Sequence, residues 1–127
     1  MKILLIEDDP FLLSTMLHFF AREDCHVVAT TSPELVISAI DCNHFQTVVT
    51  DVRMDPVDGI TLVKAIRKAG FAGQIIVTSA FYLGAKEETD ALKIDAFFEK
   101  PFDVHEMYAA IREWPAKNRH SGEEAAE

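Results

Sequence analysis

The chain has 127 residues, with 12 Lys+Arg against 21 Asp+Glu and a formal net charge of −9. Its 49% hydrophobic content, with only 5 Gly and 5 Pro, excludes disordered, collagen-like and low-complexity classes, and its length suits one domain with its own core. The acid excess repels phosphate backbones and anionic bilayers, which argues against direct nucleic-acid binding and favours a cation or a basic partner.

The first apolar run, Lys2–Ile6, stops at Glu7-Asp8-Asp9. It is far too short for a signal peptide or a membrane span, so no membrane insertion and a cytoplasmic location are expected. Asp9-Pro10 offers an N-cap and an N1 proline, with Leu13, Met16, Leu17 and Phe20 following at helical spacing. A second run covers His26–Thr30, and Ser32-Pro33 opens a helix carrying Val36, Ala39 and Ile40. The third run, Thr47–Thr50, leads to Asp51. Asp58-Gly59 then precedes Leu62, Val63 and Ile66, and Gly70 closes that helix. Gln74–Thr78 is the fourth run, followed by a polar, poorly capped helix around Lys86–Leu92. The fifth, Ala96–Glu99, passes through Lys100-Pro101 to Asp103 and Glu106, which resemble a capping box for a last helix with Met107, Tyr108, Ile111 and Trp114. Pro115 ends it. The domain is therefore placed at 1–115, and 116–127, which lose periodicity, read as a poorly ordered tail. Cys25 and Cys42 show no metal-ligand spacing and read as small buried hydrophobes.

The five runs are apolar on successive positions, as in strands covered on both faces, and they alternate with helical segments. The expectation is an α/β fold, a doubly wound (βα)5 domain with a parallel five-stranded sheet and helices on both faces.

In such sheets ligands bind at the carboxyl ends of the strands. Strand one ends in Glu7-Asp8-Asp9, strand three in Asp51, strand four in Thr78-Ser79 and strand five in Lys100-Pro101. Each has an ordinary explanation alone: N-capping acids, a turn aspartate, a β-forming threonine. Together at one edge they describe a site. Converging carboxylates need a cation, and oxygen ligands without Cys or His favour Mg²⁺, or Mn²⁺, over zinc. A lysine and a hydroxyl beside them suit a tetrahedral phosphoryl group. Asp51 is the candidate acceptor, forming an acyl phosphate, because it stands alone at its strand end while Glu7 and Asp8 are paired as metal ligands would be.

The segments KILLIEDDPFLL, TDVRM with Asp58-Gly59, IIVTSA at 75–80 and FFEKPF at 97–102 resemble the receiver domain of two-component response regulators over roughly residues 2–114. The separations agree: 43 residues from Asp8 to Asp51, 27 to Thr78 and 22 more to Lys100. The resemblance, to a receiver like the single-domain chemotaxis regulators, implies a flavodoxin-like fold and Mg²⁺-dependent phosphorylation of Asp51 by a histidine kinase or a phosphotransfer protein. It implies that Glu7, Asp8, Asp51 and the Arg53 backbone carbonyl bind Mg²⁺. Thr78 would hydrogen-bond the phosphoryl group, Lys100 would pair with it, and Phe97 would be the switch aromatic. Phosphorylation would then alter the surface of helix four, strand five and helix five for a downstream protein target, making the chain a signalling switch and not a conventional enzyme.

Three departures from the family pattern stand out. Asp55 precedes Pro56 where the family has proline four residues after the acceptor. Lys93-Ile94 replaces the usual Gly-Ala pair. Phe97 lacks a tyrosine hydroxyl, so it would act by packing alone. Phe81, Tyr82 and Leu83 form an apolar cluster near the same face, a candidate docking site for a partner. His18, His26, His44, His105 and His120 share no spacing and receive no catalytic role.

Three other readings compete. A haloacid-dehalogenase-type phosphatase would need a second Asp where Arg53 stands, and a flavodoxin-like electron carrier would need a phosphate cradle where Glu7-Asp8-Asp9 stand. A non-phosphorylated pseudo-receiver would not need the complete set of acids, Thr78 and Lys100. With about 115 residues taken by the receiver, the output expected of this chain is a protein–protein contact.

Overall fold

The computed structural model describes residues 1–54, 57–80 and 93–114. Five parallel strands, β1 (Lys2–Ile6), β2 (His26–Thr30), β3 (Thr47–Asp51), β4 (Gln74–Ser79) and β5 (Ala96–Glu99), form one sheet in the order β2-β1-β3-β4-β5. Helices α1 (Pro10–Arg22), α2 (Pro33–Ala39) and α3 (Gly59–Lys68), a 3-10 turn at Cys42–His44 and a last helix over 104–114 complete the described elements. The α/β doubly wound expectation holds. The expected fourth helix, the Phe81-Tyr82-Leu83 cluster, Asp55-Pro56 and the segment from Pro115 onward lie outside the described residues.

The continuous apolar runs are explained by burial on both faces. β3 and β4 are buried at every position, β1 at all but its first, and the edge strands β2 and β5 are half-exposed. On one face Leu4, Ile6, Val48, Ile75 and Val77 pack with Val36 of α2 and with Leu62, Val63 and Ile66 of α3. On the other, Ile3, Leu5, Val49 and Ile76 pack with Met16 and Phe20 of α1 and with Met107 and Ile111 of the last helix. Side chains alternate between faces along each strand, so one strand serves both layers.

The helix starts follow local chemistry. Asp9 accepts the Phe11 and Leu12 amides at 2.9 and 3.4 Å, Ser32 accepts Leu35 at 3.2 Å, and Asp58 accepts Thr61 at 2.8 Å, each satisfying an orphan first-turn N–H. Asp103 accepts the His105 amide at 2.8 Å. After α3 the chain turns at Gly70, φ +97°, where a side chain would be strained. The 3-10 turn, capped by Asp41 on the Asn43 amide at 2.9 Å, has no periodic signal in the sequence because it is only three residues long.

This topology positions the site. From β1 the chain crosses to β2 on one side and next to β3 on the other, so the direction of winding reverses between β1 and β3. The loops leaving their carboxyl ends separate there and open a crevice. Glu7 and Asp8 follow β1, and Asp51 is the last residue of β3.

Candidate functional site

Glu7, Asp8 and Asp51 offer carboxylate oxygens that all lie within 4.8 Å of one another; Glu7 and Asp51 are buried and Asp8 is exposed. Lys100, one residue past β5, extends back across the strand ends. Its Nζ donates to Glu7 Oε1 and Oε2 at 3.0 and 3.2 Å and to Asp51 Oδ2 at 3.1 Å. Three formal negative charges thus meet one positive charge, leaving the corner at −2. The donors are all hard oxygens, with no Cys or His among them, so the set fits Mg²⁺ or Mn²⁺.

The electrostatics agree. Burial pushes the Glu7 carboxyl from its ordinary 4.5 to about 7; the Asp51 charge adds to this, while the Lys100 bond opposes it. Burial pulls the Lys100 ammonium downward, but its bonds to Glu7 and Asp51 outweigh that and leave it raised. Excess negative charge held out of water is the condition a divalent cation relieves.

β4 places Thr78 in register with Asp51, and the Thr78 carbonyl accepts the Val52 amide at 2.9 Å. Thr78 is buried. The Arg53 amide donates to Asp51 Oδ1 at 3.4 Å, and the Lys100 amide donates to the Ser79 carbonyl at 2.7 Å. An open cavity of about 490 Å³, lined by Asp8, Val52, Arg53, Met54, Asp58 and Ile60, gives access beside Asp51. Phe97 pairs in register with Val77 and is half-buried against the α2/α3 layer, one strand from Thr78.

The structure therefore brings Glu7, Asp8, Asp51, Thr78 and Lys100 to one edge. Two features of the corner were not read from the sequence. Glu7, which the resemblance makes a metal ligand beside Asp8, is also the direct partner of Lys100. Gly59, read only as a helix start, is part of the corner's frame: a Cβ there would fall on the Asp51 carbonyl oxygen and lie 2.8 Å from Val52 Cα. Its amide donates to the Val52 carbonyl at 2.7 Å. The available signal was a glycine at the first position of a helix, where it is a poor helix former.

Burial keeps both cysteine thiols protonated. Cys42 is buried and its thiol is pushed up to about 11, and burial also raises Cys25. The described histidines lie away from the corner. The His18 ring pairs with the Ser14 carbonyl at 2.7 Å, and the His105 ring packs edge-on to Phe19 at 4.8 Å.

A family model described as the response regulator receiver domain matches residues 3–112. The heme response regulator HssR of Staphylococcus saprophyticus is 26% identical over 109 residues, 86% of this chain and 49% of its own length. The transcriptional regulatory protein BasR of Escherichia coli is 26% identical over 124 residues, 97% of this chain and 56% of its own. The chain thus spans about half the length of the curated relatives it matches. The non-phosphorylated HemR receiver domain from Leptospira biflexa superposes with a TM-score of 0.79 at 23% identity, over 87% of this chain and 90% of that one.

Proposed function

Since this chain belongs to the response regulator receiver domain family, we propose that it is a phosphoryl-accepting switch of a two-component system and that Asp51 is the acceptor. The observation that carries this is the Lys100 ammonium shared between Glu7 and Asp51, with Asp8 beside them and Thr78 in register. The donor is a histidine kinase or a phosphotransfer protein.

An Asp51 carboxylate oxygen attacks phosphorus, forming the P–O bond of an acyl phosphate as the bond to the donor breaks. Glu7, Asp8, Asp51 and the Arg53 carbonyl would hold Mg²⁺, which supplies charge neutralisation for the phosphoryl oxygens. Lys100 leaves Asp51 for the new phosphoryl group, keeping an ammonium against the added charge, and the Thr78 hydroxyl donates to a phosphoryl oxygen. Replacing a carboxylate by a group of about −2 charge draws Thr78 inward, and Phe97 turns toward the space it leaves. The altered surface about β5 and the last helix is then read by a downstream protein. The chain acts as a cytoplasmic switch and not as a turnover enzyme, with the receiver over residues 1–115.

The test is incubation with acetyl phosphate and Mg²⁺, followed by intact mass. One phosphoryl adduct is expected on the wild type and none on Asp51→Asn. No adduct on the wild type, or an equal one on the variant, refutes the assignment.

A further inference from the structure

A second groove lies at the opposite edge of the sheet, at the amino ends of β4 and β5. It is open, encloses about 640 Å³, and is bordered among others by Lys64, Arg67, Ile94, Asp95, Lys93 and Trp114. Three of its carbonyls and the Asp95 carboxylate are already engaged. One Arg67 Nη1 donates to the Phe71 and Gly73 carbonyls at 2.9 and 2.8 Å, and Nη2 donates to the Lys93 carbonyl at 2.6 Å and Asp95 Oδ2 at 3.2 Å. The Asp95 carboxylate also accepts the Ile75 amide at 2.8 Å and Trp114 Nε1 at 3.0 Å. Arg67 and Asp95 therefore cancel as charges, and the Phe71, Gly73 and Lys93 carbonyls are occupied. Among the described residues that border the groove, Lys64 and Lys93 are both exposed and neither forms an ion pair with another described residue.

By its described residues, a chain of net charge −9 with acids gathered at its carboxyl edge thus presents a locally cationic groove with an apolar wall of Ile94 and Trp114 at its amino edge. We infer that this groove docks a short acidic segment of a partner protein, with carboxylates at Lys64 and Lys93 and an apolar side chain against Ile94 and Trp114. The floor is braced by the Arg67–Asp95 bonds, so little ordering cost falls on this side of the contact. The overall charge selects the class of partner. A duplex or an anionic bilayer extends far beyond the groove and meets the acidic remainder of the molecule. A short segment lies within about one Debye length, ~8 Å, of the two lysines. This inference is independent of phosphorylation.

Trp114 is the only tryptophan in the chain, so its fluorescence reports the groove. The probe is the capped peptide Glu-Glu-Leu-Glu-Glu, titrated into the full chain. A saturable change in emission is expected, weakened on the order of tenfold by Lys64→Glu with Lys93→Glu. It should also weaken in about 0.5 M salt and stay unchanged in Asp51→Asn. Circular dichroism checks that the exposed substitutions leave the fold intact, and Lys64→Gln with Lys93→Gln repeats the test if the reversals disturb it. No response at about 1 mM peptide overturns the inference. So does an equal response to the Gln-Gln-Leu-Gln-Gln counterpart, undiminished binding by the lysine variants, or tighter binding of an oligonucleotide, phosphatidylserine vesicles or inorganic phosphate.

Discussion

The Lys100 ammonium lies 3.0 Å from Oε1 of Glu7, joining residues 93 positions apart in the chain. The same Nζ reaches Asp51 Oδ2 at 3.1 Å, so two buried carboxylates share one cation. Any divalent ion at the Glu7–Asp8–Asp51 corner has to compete with Lys100 for the same oxygens.

Glu7 sets a pH dependence. In the unfolded chain it titrates near 4.5, and in the folded one, mainly through burial, near 7. Between these values the folded state holds the extra proton, so this contribution to stability is present at low pH and is lost as pH rises through 7. Without Mg²⁺, urea unfolding at pH 5 and pH 8 should show about 1–3 kcal/mol of such loss in the wild type, absent from Glu7→Gln. Because the metal needs the carboxylate, Mg²⁺ affinity should rise with pH up to about 7 and then level off. An identical pH dependence in Glu7→Gln would refute this account.

Lys100→Met separates the two roles of the ammonium. Removing it leaves Glu7 and Asp51 facing each other in a buried corner, so the variant should lose about 1–3 kcal/mol at pH 8 and less at pH 5, where Glu7 is protonated. With the competing cation gone, Mg²⁺ should bind severalfold more tightly, measurable by calorimetry. Weaker Mg²⁺ binding would count against the shared-oxygen arrangement.

Gly59→Ala tests the frame. A methyl group would meet the Asp51 carbonyl and Val52 Cα, both backbone, so nothing flexible can yield. A loss of about 2–4 kcal/mol in urea unfolding is expected, with slower phosphorylation as Asp51 shifts. Gly70→Ala is the contrast: nothing lies within 4 Å of its Cβ, and its cost of about 1 kcal/mol comes from φ +97° alone.

Asp95→Ala removes the acceptor for Arg67, the Ile75 amide and Trp114 Nε1 together. A loss of about 2–3 kcal/mol is expected, with a shift of Trp114 emission in the still-folded protein. Unchanged emission would show that the indole bond does not persist in solution. Lys93, in the left-handed region at φ +57°, offers the opposite outcome. Lys93→Gly should gain about 0.5–1 kcal/mol, because its carbonyl bond to Arg67 survives the change.

Much of this architecture is legible in the chain because it is local. Strand runs such as Lys2–Ile6 and Ala96–Glu99 are apolar at successive positions, and Asp9, Ser32 and Asp58 announce their helices through bonds to amides two or three residues away. β3 and β4 each extend one residue past the expected end, to Asp51 and Ser79, because strand limits depend on ladder bonds that a single strand does not encode. The acids, the threonine and the lysine could be listed as strand-end residues, but Gly59 could not be placed against Asp51, since that contact depends on how closely α3 approaches the β3 turn. Nor did any spacing announce Arg67, whose partners at Phe71, Gly73, Lys93 and Asp95 converge only after β4 and β5 pair.

By itself, then, the sequence determined the alternation of strand and helix, the caps and the residue types gathered at the strand ends, all of which rest on propensity and hydrogen bonds within a few residues. The tertiary structure alone decided that β1 lies between β2 and β3, and so that Glu7 meets Lys100 and Asp51 instead of solvent. Strand order is set by how two layers of helices cover the sheet, and the charge of the corner follows from distances that no local interaction specifies.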